Sequence, residues 1–86
     1  MKAIIEENYK SIVNRGLINK GTDRIAFLDK LFEEVGEFEE AIYNSDSENT
    51  KEELSDIILV CLNFAKHYDI DIEKELNKKI QINKNR

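Results

Sequence analysis

The stretch LFEEVGEFEEAIYN, residues 31–44, sets five glutamates among large apolar side chains. Like charges three or four residues apart on a helix destabilise it by about 0.2–0.5 kcal/mol per pair, so this crowding has an energetic cost. Most of these glutamates have no cationic neighbour along the stretch. We therefore expect a cationic ligand from outside the chain to neutralise them.

The composition of the chain indicates one small helical domain over residues 1–86. Hydrophobic residues make up 41% and charged residues 36%, with no proline and three glycines, a balance that suits helices better than strands or disorder. A domain of this size buries only about 60% of the surface that its unfolded chain exposes. Association with further copies of the chain would enlarge the core, and we expect a homodimer or homotetramer.

The charge and the cysteine usage exclude several protein classes. A formal net charge of -5 argues against binding to a nucleic-acid polymer, which requires a cationic surface. No apolar run approaches the roughly 20 residues of a membrane span, so we expect no membrane association. The start, MKAIIEENYK, lacks the long apolar stretch of a signal peptide, and the single cysteine, Cys61, cannot form an internal disulfide. These features predict a cytoplasmic protein in which Cys61 is part of the core.

Apolar periodicity predicts four helices. The strongest repeat, in the second helix, consists of Ile25, Leu28, Phe32, Val35 and Ile42. Short connections favour antiparallel neighbours, so we expect an all-α, four-helix bundle-like fold completed by homo-oligomerisation. The predicted segments are Lys2 to about Asn14, Thr22 or Asp23 to about Asn44, Lys51 to about Tyr68, and a fourth beginning at Asp69 or Asp71, with NSDSENT (residues 44–50) as a polar turn.

Two helices each carry a pair of acids three residues apart on the side that must pack. At about 100° per residue, Glu34 falls at the edge of the apolar arc of the second helix and Glu37 about 60° further round. On the third helix Glu53 falls inside the apolar arc, and Asp56 falls at its margin. Because Mg²⁺ prefers hard oxygen ligands, these four carboxylates predict a magnesium site between the helices.

Several of these residues have alternative interpretations. Thr50 and Glu53 fit a capping box, in which the Glu53 carboxylate would bond to the backbone of Thr50. Asn63 lies on the Asp56 side of its helix and either contacts sugar, base or water, or belongs to a plain polar face. We expect His67 to be an ordinary surface residue. Gly36 either permits a close helix contact or is merely tolerated.

The two acid groups together resemble a known family signature. Glu33-Glu34-Val-Gly-Glu37, followed after fifteen residues by Glu53-Leu-Ser-Asp56, is similar to the EExxE…ExxD signature of the MazG-like all-α nucleoside triphosphate pyrophosphohydrolases. The likeness extends over roughly residues 22–86. It implies an oligomeric enzyme that uses Mg²⁺, with Mn²⁺ as a substitute, to cleave nucleoside triphosphates into a monophosphate and pyrophosphate.

The resemblance also implies roles for individual residues. Glu34, Glu37, Glu53 and Asp56 would ligate the metal, and Glu33 would hold a further metal or orient the attacking water. Lys79, Asn83 and Arg86 resemble a K-x-x-x-N-x-x-R element of some members and would bind phosphate oxygens. The alternatives are that this chain end frays, or that its basic residues only complement the helix dipole. Without a tryptophan, base recognition would fall to Phe27, Phe38, Tyr43 or a neighbouring subunit.

The main alternative function is a non-enzymatic acidic helical protein that binds a basic partner and forms oligomers. Such a partner-binding face would turn its acids outward. The predicted inward lean of the pairs 34/37 and 53/56 favours the enzyme.

Overall fold

The computed structural model describes residues 1–86 and consists of four α-helices without a β-strand. The all-α prediction is therefore confirmed. The helices are α1 (Lys2–Asn14), α2 (Arg24–Tyr43), α3 (Ser47–His67) and α4 (Ile72–Lys84). No helix of the chain combines the length and the apolar character that crossing a membrane requires.

Helix α3 is the centre of the fold. Both α1 and α2 pack against it, whereas α4 has no extensive contact with any other helix. Two side-chain hydrogen bonds join α1 to α3: Asn8 donates to Asn63 Oδ1 (2.8 Å), and the Tyr9 hydroxyl pairs with Nδ1 of His67 (2.8 Å). The three packed helices position the residues of the candidate site described below.

Aspartates cap the starts of three helices, and one cap differs from the prediction. Asp46, rather than Thr50, caps α3 by accepting a hydrogen bond from the Asn49 amide (3.1 Å). Helix α3 therefore starts at Ser47, four residues earlier than predicted, and the predicted polar turn is mostly helical. Thr50 lies inside the helix, where its hydroxyl donates to the Asp46 carbonyl (2.7 Å). The capping-box interpretation is therefore wrong, and Glu53 is not engaged at a helix start.

A small aromatic cluster lies at one end of the α2/α3 pair. Phe27 is buried and meets the Phe64 ring edge-on, with 5.6 Å between the ring centroids, and Tyr68 packs beside both. His67 belongs to this cluster and its Nε2 lies 3.2 Å from the carbonyl oxygen of Thr22. The prediction that His67 is a surface residue was therefore wrong, because Tyr9 and Thr22 satisfy both ring nitrogens.

The strongest apolar repeat of the sequence does not face the chain's own core. Ile25, Leu28, Phe32, Val35 and Ile42 are all exposed, Phe32 by 63%. Cys61 is also exposed, which corrects its assignment to the core. The accessible surface of 6692 Å² exceeds the roughly 5,300 Å² expected for a compact monomer of this mass. A single chain thus leaves a second apolar face of α2 uncovered.

Gly36 has no close neighbour in this chain. A Cβ added to Gly36 would meet no atom within 4 Å. Within one chain, the structure therefore gives no support to a close helix contact at this position.

Candidate metal centre

Helices α2 and α3 bring three carboxylates to one point. Glu34 and Glu37 lie nearly one turn apart on α2, and Glu53 faces them from α3. One oxygen from each of these residues lies within 4.8 Å of the others. The carboxylate cluster, as we call Glu34, Glu37 and Glu53, thus contains three of the four acids that the sequence predicted as metal ligands.

Glu34 lies on the inner face of α2, in line with Phe27, Phe38 and Ala41. Its exposed fraction is only 5%, so its carboxylate is enclosed between the helices. The Glu34 Oε2 atom is buried without a hydrogen-bond partner. Leaving a buried acceptor unsatisfied costs about 1–3 kcal/mol, and more when the group is charged.

The donor set fits a hard divalent cation. Glu53 Oε2 is likewise buried without a hydrogen-bond partner, so each of the two facing helices presents an unused carboxylate oxygen. Oxygen-only ligands suit Mg²⁺ or Mn²⁺, whereas Zn²⁺ more often takes nitrogen or sulfur ligands. A cation bound here would engage both unused oxygens.

Lys30 is the cationic neighbour of the cluster, and the sequence reasoning missed it. Its ammonium lies 3.0 Å from Oε1 of Glu34 and 3.5 Å from Oε1 of Glu33. The hydrogen bond to Glu34 raises the pKa of Lys30. Burial by itself would raise the pKa of Glu34, but the hydrogen bond and charge of Lys30, together with hydrogen bonds from Glu53 and Glu37, outweigh it and hold that pKa below its usual value. Lys30 therefore helps to keep Glu34 ionised without a metal. Its spacing, four residues before Glu34, was the signal that could have revealed it.

The pKa of Glu53 is shifted in the opposite direction from that of Glu34. Burial, together with hydrogen bonding and charge repulsion from Glu34 and Glu37, raises the pKa of Glu53 from the usual value of 4.5 to about 7. A proton on Glu53 therefore relieves part of the repulsion in the metal-free cluster. Because metal ligands must be deprotonated, binding of a divalent cation would release this proton.

The remaining predicted site residues do not belong to the carboxylate cluster. Asp56 is exposed and is not one of the three converging acids. Glu33 is also exposed and pairs with Lys30. Asn63 is buried, and its side-chain carbonyl accepts the hydrogen bond from Asn8.

The predicted phosphate-binding residues lie on the last helix or just after it. Lys79, Asn83 and Arg86 are exposed. Because α4 does not pack along α2 or α3, one chain alone does not place them beside the carboxylates.

The pKa of Glu53 gives the metal-free protein a specific pH dependence. Between pH 4.5 and about 7 the folded state retains a Glu53 proton that the unfolded state has lost, so a rise in pH across this window lowers the stability. Glu53→Gln removes this titration. We expect the melting temperature of the wild type, in the presence of a chelator, to fall relative to that of Glu53→Gln as the pH rises through the window. If the difference in melting temperature between the wild type and Glu53→Gln stays constant with pH, the raised pKa of Glu53 is contradicted.

The position of Lys30 predicts that it competes with a bound metal. Lys30→Met should lower the melting temperature of the metal-free protein, since Glu34 loses its partner, and should tighten Mn²⁺ binding severalfold in calorimetric titration. The matched control is Lys78→Met, which removes a surface ion pair with Glu75 (3.4 Å) on α4. It should change neither quantity appreciably, because exposed pairs contribute about 0–1 kcal/mol. Weaker Mn²⁺ binding by Lys30→Met would refute the competition.

Comparison with known proteins gives one match. Residues 23–86, which contain α2, α3 and α4, match the MazG nucleotide pyrophosphohydrolase domain. No curated protein and no solved structure matches the chain. The matched segment contains every acid of the carboxylate cluster as well as Glu33 and Asp56. On this match the chain belongs to the MazG nucleotide pyrophosphohydrolase domain family.

Proposed function

We propose that the chain is a divalent-metal-dependent nucleoside triphosphate pyrophosphohydrolase. It would cleave a ribo- or deoxyribonucleoside triphosphate into the monophosphate and pyrophosphate. The observation that carries the proposal is the carboxylate cluster: three acids from two helices, within the segment that matches the family, converge with two of their buried oxygens unused.

Glu34, Glu37 and Glu53 would hold Mg²⁺, for which Mn²⁺ could substitute. The bound ion supplies neutralisation and orientation of the phosphate oxygens, which is most of what phosphoryl transfer demands of a protein. Glu34 is enclosed between α2 and α3, so this ligand is held in place before substrate arrives. A net charge of -5 would otherwise repel a polyanionic substrate.

The remaining signature acids would act at the edge of the cluster. Glu33 is exposed next to Glu34, where it would orient the attacking water or hold a further ion. Asp56 lies one turn after Glu53 on α3 and would complete the ligand set from the solvent side.

The residues proposed to bind substrate are Asn63 on α3 and the group formed by Lys79, Asn83 and Arg86. The latter three would bind phosphate oxygens of a nucleotide. Their exposed positions on and after α4 favour such contacts with a nucleotide held by a neighbouring subunit.

The exposed apolar repeat of α2 supports association of the chain with itself. Phe32 and Val35 lie on this face, and Leu54 and Ile58 add exposed apolar side chains on α3. Apolar side chains in this arrangement would be buried between copies in a dimer or tetramer, which would also supply the core that one chain lacks.

The geometry disfavours the alternative of a non-enzymatic acidic interaction protein. A basic partner docking on an acidic face needs carboxylates that it can reach. Glu34 is 5% exposed and its Oε2 atom is buried, so it offers almost no surface to a lysine or arginine from another protein. Glu39 and Glu40 are exposed and do not converge into the cluster, whereas Glu37 is exposed and belongs to it.

The test is release of pyrophosphate from a panel of ribo- and deoxyribonucleoside triphosphates in Mg²⁺. Glu53→Gln keeps the shape of the side chain but removes a ligand charge, so we expect its turnover to fall about a hundredfold or more. Glu39→Gln, an equal change at an exposed site on α2, is the matched control and should retain wild-type turnover. Light scattering on the same samples should show a dimer or tetramer.

Two results would contradict the proposal. One is a wild type that releases no pyrophosphate from any member of the panel. The other is an unchanged turnover in Glu53→Gln, which would exclude the carboxylate cluster as the site of the reaction.

A further inference from the structure

Lys30 is the one cation that pairs with the carboxylate cluster, and the proposed reaction leaves it without a role once a metal is bound. Its ammonium lies 3.0 Å from Oε1 of Glu34 and 3.5 Å from Oε1 of Glu33. No other ion pair of the chain involves an acid of the cluster. The Lys30 side chain is 52% exposed, so the ammonium can turn away from Glu34 without a change in the backbone.

The charges of the cluster give this ammonium a second use. Metal ligands must be deprotonated, so Glu34, Glu37 and Glu53 would bring three negative charges to the two positive charges of a divalent cation. The occupied cluster would then still be negative and would repel a phosphate group. The Lys30 ammonium cancels the charge that remains.

The distance between Lys30 and Glu34 agrees with a change of partner. Mg²⁺ takes oxygen ligands in an octahedron at about 2.0–2.1 Å, so two ligand oxygens at neighbouring corners lie about 3 Å apart. A phosphate oxygen next to a Glu34 oxygen on the ion would thus lie about as far from Glu34 as the Lys30 ammonium does now, 3.0 Å. Lys30 therefore needs no rearrangement of α2 to reach such an oxygen.

The other basic side chains of the chain are engaged elsewhere or lie apart from the cluster. Lys51 is close to Glu53 in sequence but pairs with Glu48 (3.1 Å) on the first turn of α3. Lys66 is nearest to Glu6 of α1 (3.9 Å). The basic residues of α4 belong to a helix that has no extensive contact with α2 or α3. Within one chain, the role falls to Lys30.

We propose that Lys30 exchanges partners: it pairs with Glu34 in the metal-free protein and with a phosphate oxygen of the substrate when a divalent cation occupies the cluster. The proposal rests on the proposed function. The ion frees the ammonium from Glu34, and the phosphate gives the freed ammonium a new partner. Because such coupling is reciprocal, the phosphate ligand strengthens metal binding by the same factor by which the metal strengthens phosphate binding. Lys30 thus makes the site favour metal and polyphosphate together over either ligand alone.

The test measures, by calorimetry, the binding of Mn²⁺ and of methylenediphosphonate, a stable analogue of pyrophosphate that carries no nucleoside. Lys30→Met is compared with wild type and with the surface control Lys78→Met. For Mn²⁺ alone, Lys30→Met should bind severalfold more tightly than wild type, because the ion no longer competes with the ammonium. In saturating Mn²⁺ the same variant should bind the diphosphonate at least tenfold more weakly, since it lacks a charged hydrogen-bond donor. Lys78→Met should match wild type for both ligands.

The opposite signs of the two effects distinguish an exchange of partners from a loss of structure, which would weaken the binding of both ligands. Methylenediphosphonate also binds Mn²⁺ in solution, but to the same extent in every sample, so the comparison between variants is unaffected.

Three results would overturn the exchange. Lys30→Met could bind the diphosphonate as tightly as wild type does, or bind both ligands more weakly, or the wild type could bind Mn²⁺ but no diphosphonate. Each of these leaves the proposed function to the pyrophosphate-release assay, and only a wild type that releases no pyrophosphate would overturn that function as well.

Discussion

The burial of Glu34 between α2 and α3, opposite Glu53, is the constraint on which the rest of the structure depends. An ionised carboxylate is unfavourable in such a place unless a positive charge compensates it. The chain supplies one such charge, the ammonium of Lys30 at 3.0 Å, and a proton on Glu53 relieves part of the remaining repulsion. A divalent cation would replace both kinds of compensation and would engage the two buried oxygens that the chain leaves without a partner.

This constraint also explains how little of the chain is a conventional core. Only six of 86 residues are buried, and two of them, Glu34 and Asn63, are polar. The aromatic contacts around Phe27 and Phe64 lie at one end of the α2/α3 pair, and the carboxylate cluster lies further along the same pair. A radius of gyration of 14.5 Å, against about 12 Å for a compact chain of this length, agrees with a chain that leaves much of its apolar surface exposed.

Much of the fold was readable from the sequence because its signals are local. The bounds of α1, the Asp23 cap of α2 and the antiparallel helices follow from periodicity, capping chemistry and short connections. The start of α3 was mispredicted because Asp46 and Thr50 are both competent caps, and the sequence does not show that Asp46 prevails. The repeat that includes Phe32 and Val35 identified an apolar face of α2, but periodicity does not distinguish a face that meets the chain's own core from one left exposed.

The residues of the site were likewise predictable where the signal is a short spacing along one helix. The i, i+3 spacing of Glu34 and Glu37 and the position of Glu53 predicted their convergence, and Lys30 could have been identified from its i, i+4 spacing. Contacts between residues far apart in sequence were not accessible in this way. Examples are the bond between Asn8 and Asn63 and the enclosure of His67 by Tyr9 and Thr22, which depend on how α1 packs against α3. The match to the family domain then adds a chemical context that geometry alone does not provide.

The central claim is that Glu34, Glu37 and Glu53 together bind one divalent cation. Anomalous diffraction from crystals grown with saturating Mn²⁺ tests it most directly, because the ion is located without reference to activity. The account predicts an anomalous peak on the order of 2 Å from a carboxylate oxygen of each of the three residues, with the Lys30 ammonium moved away from Glu34. A chain without ordered Mn²⁺ between α2 and α3, and with Lys30 still paired to Glu34, would contradict it.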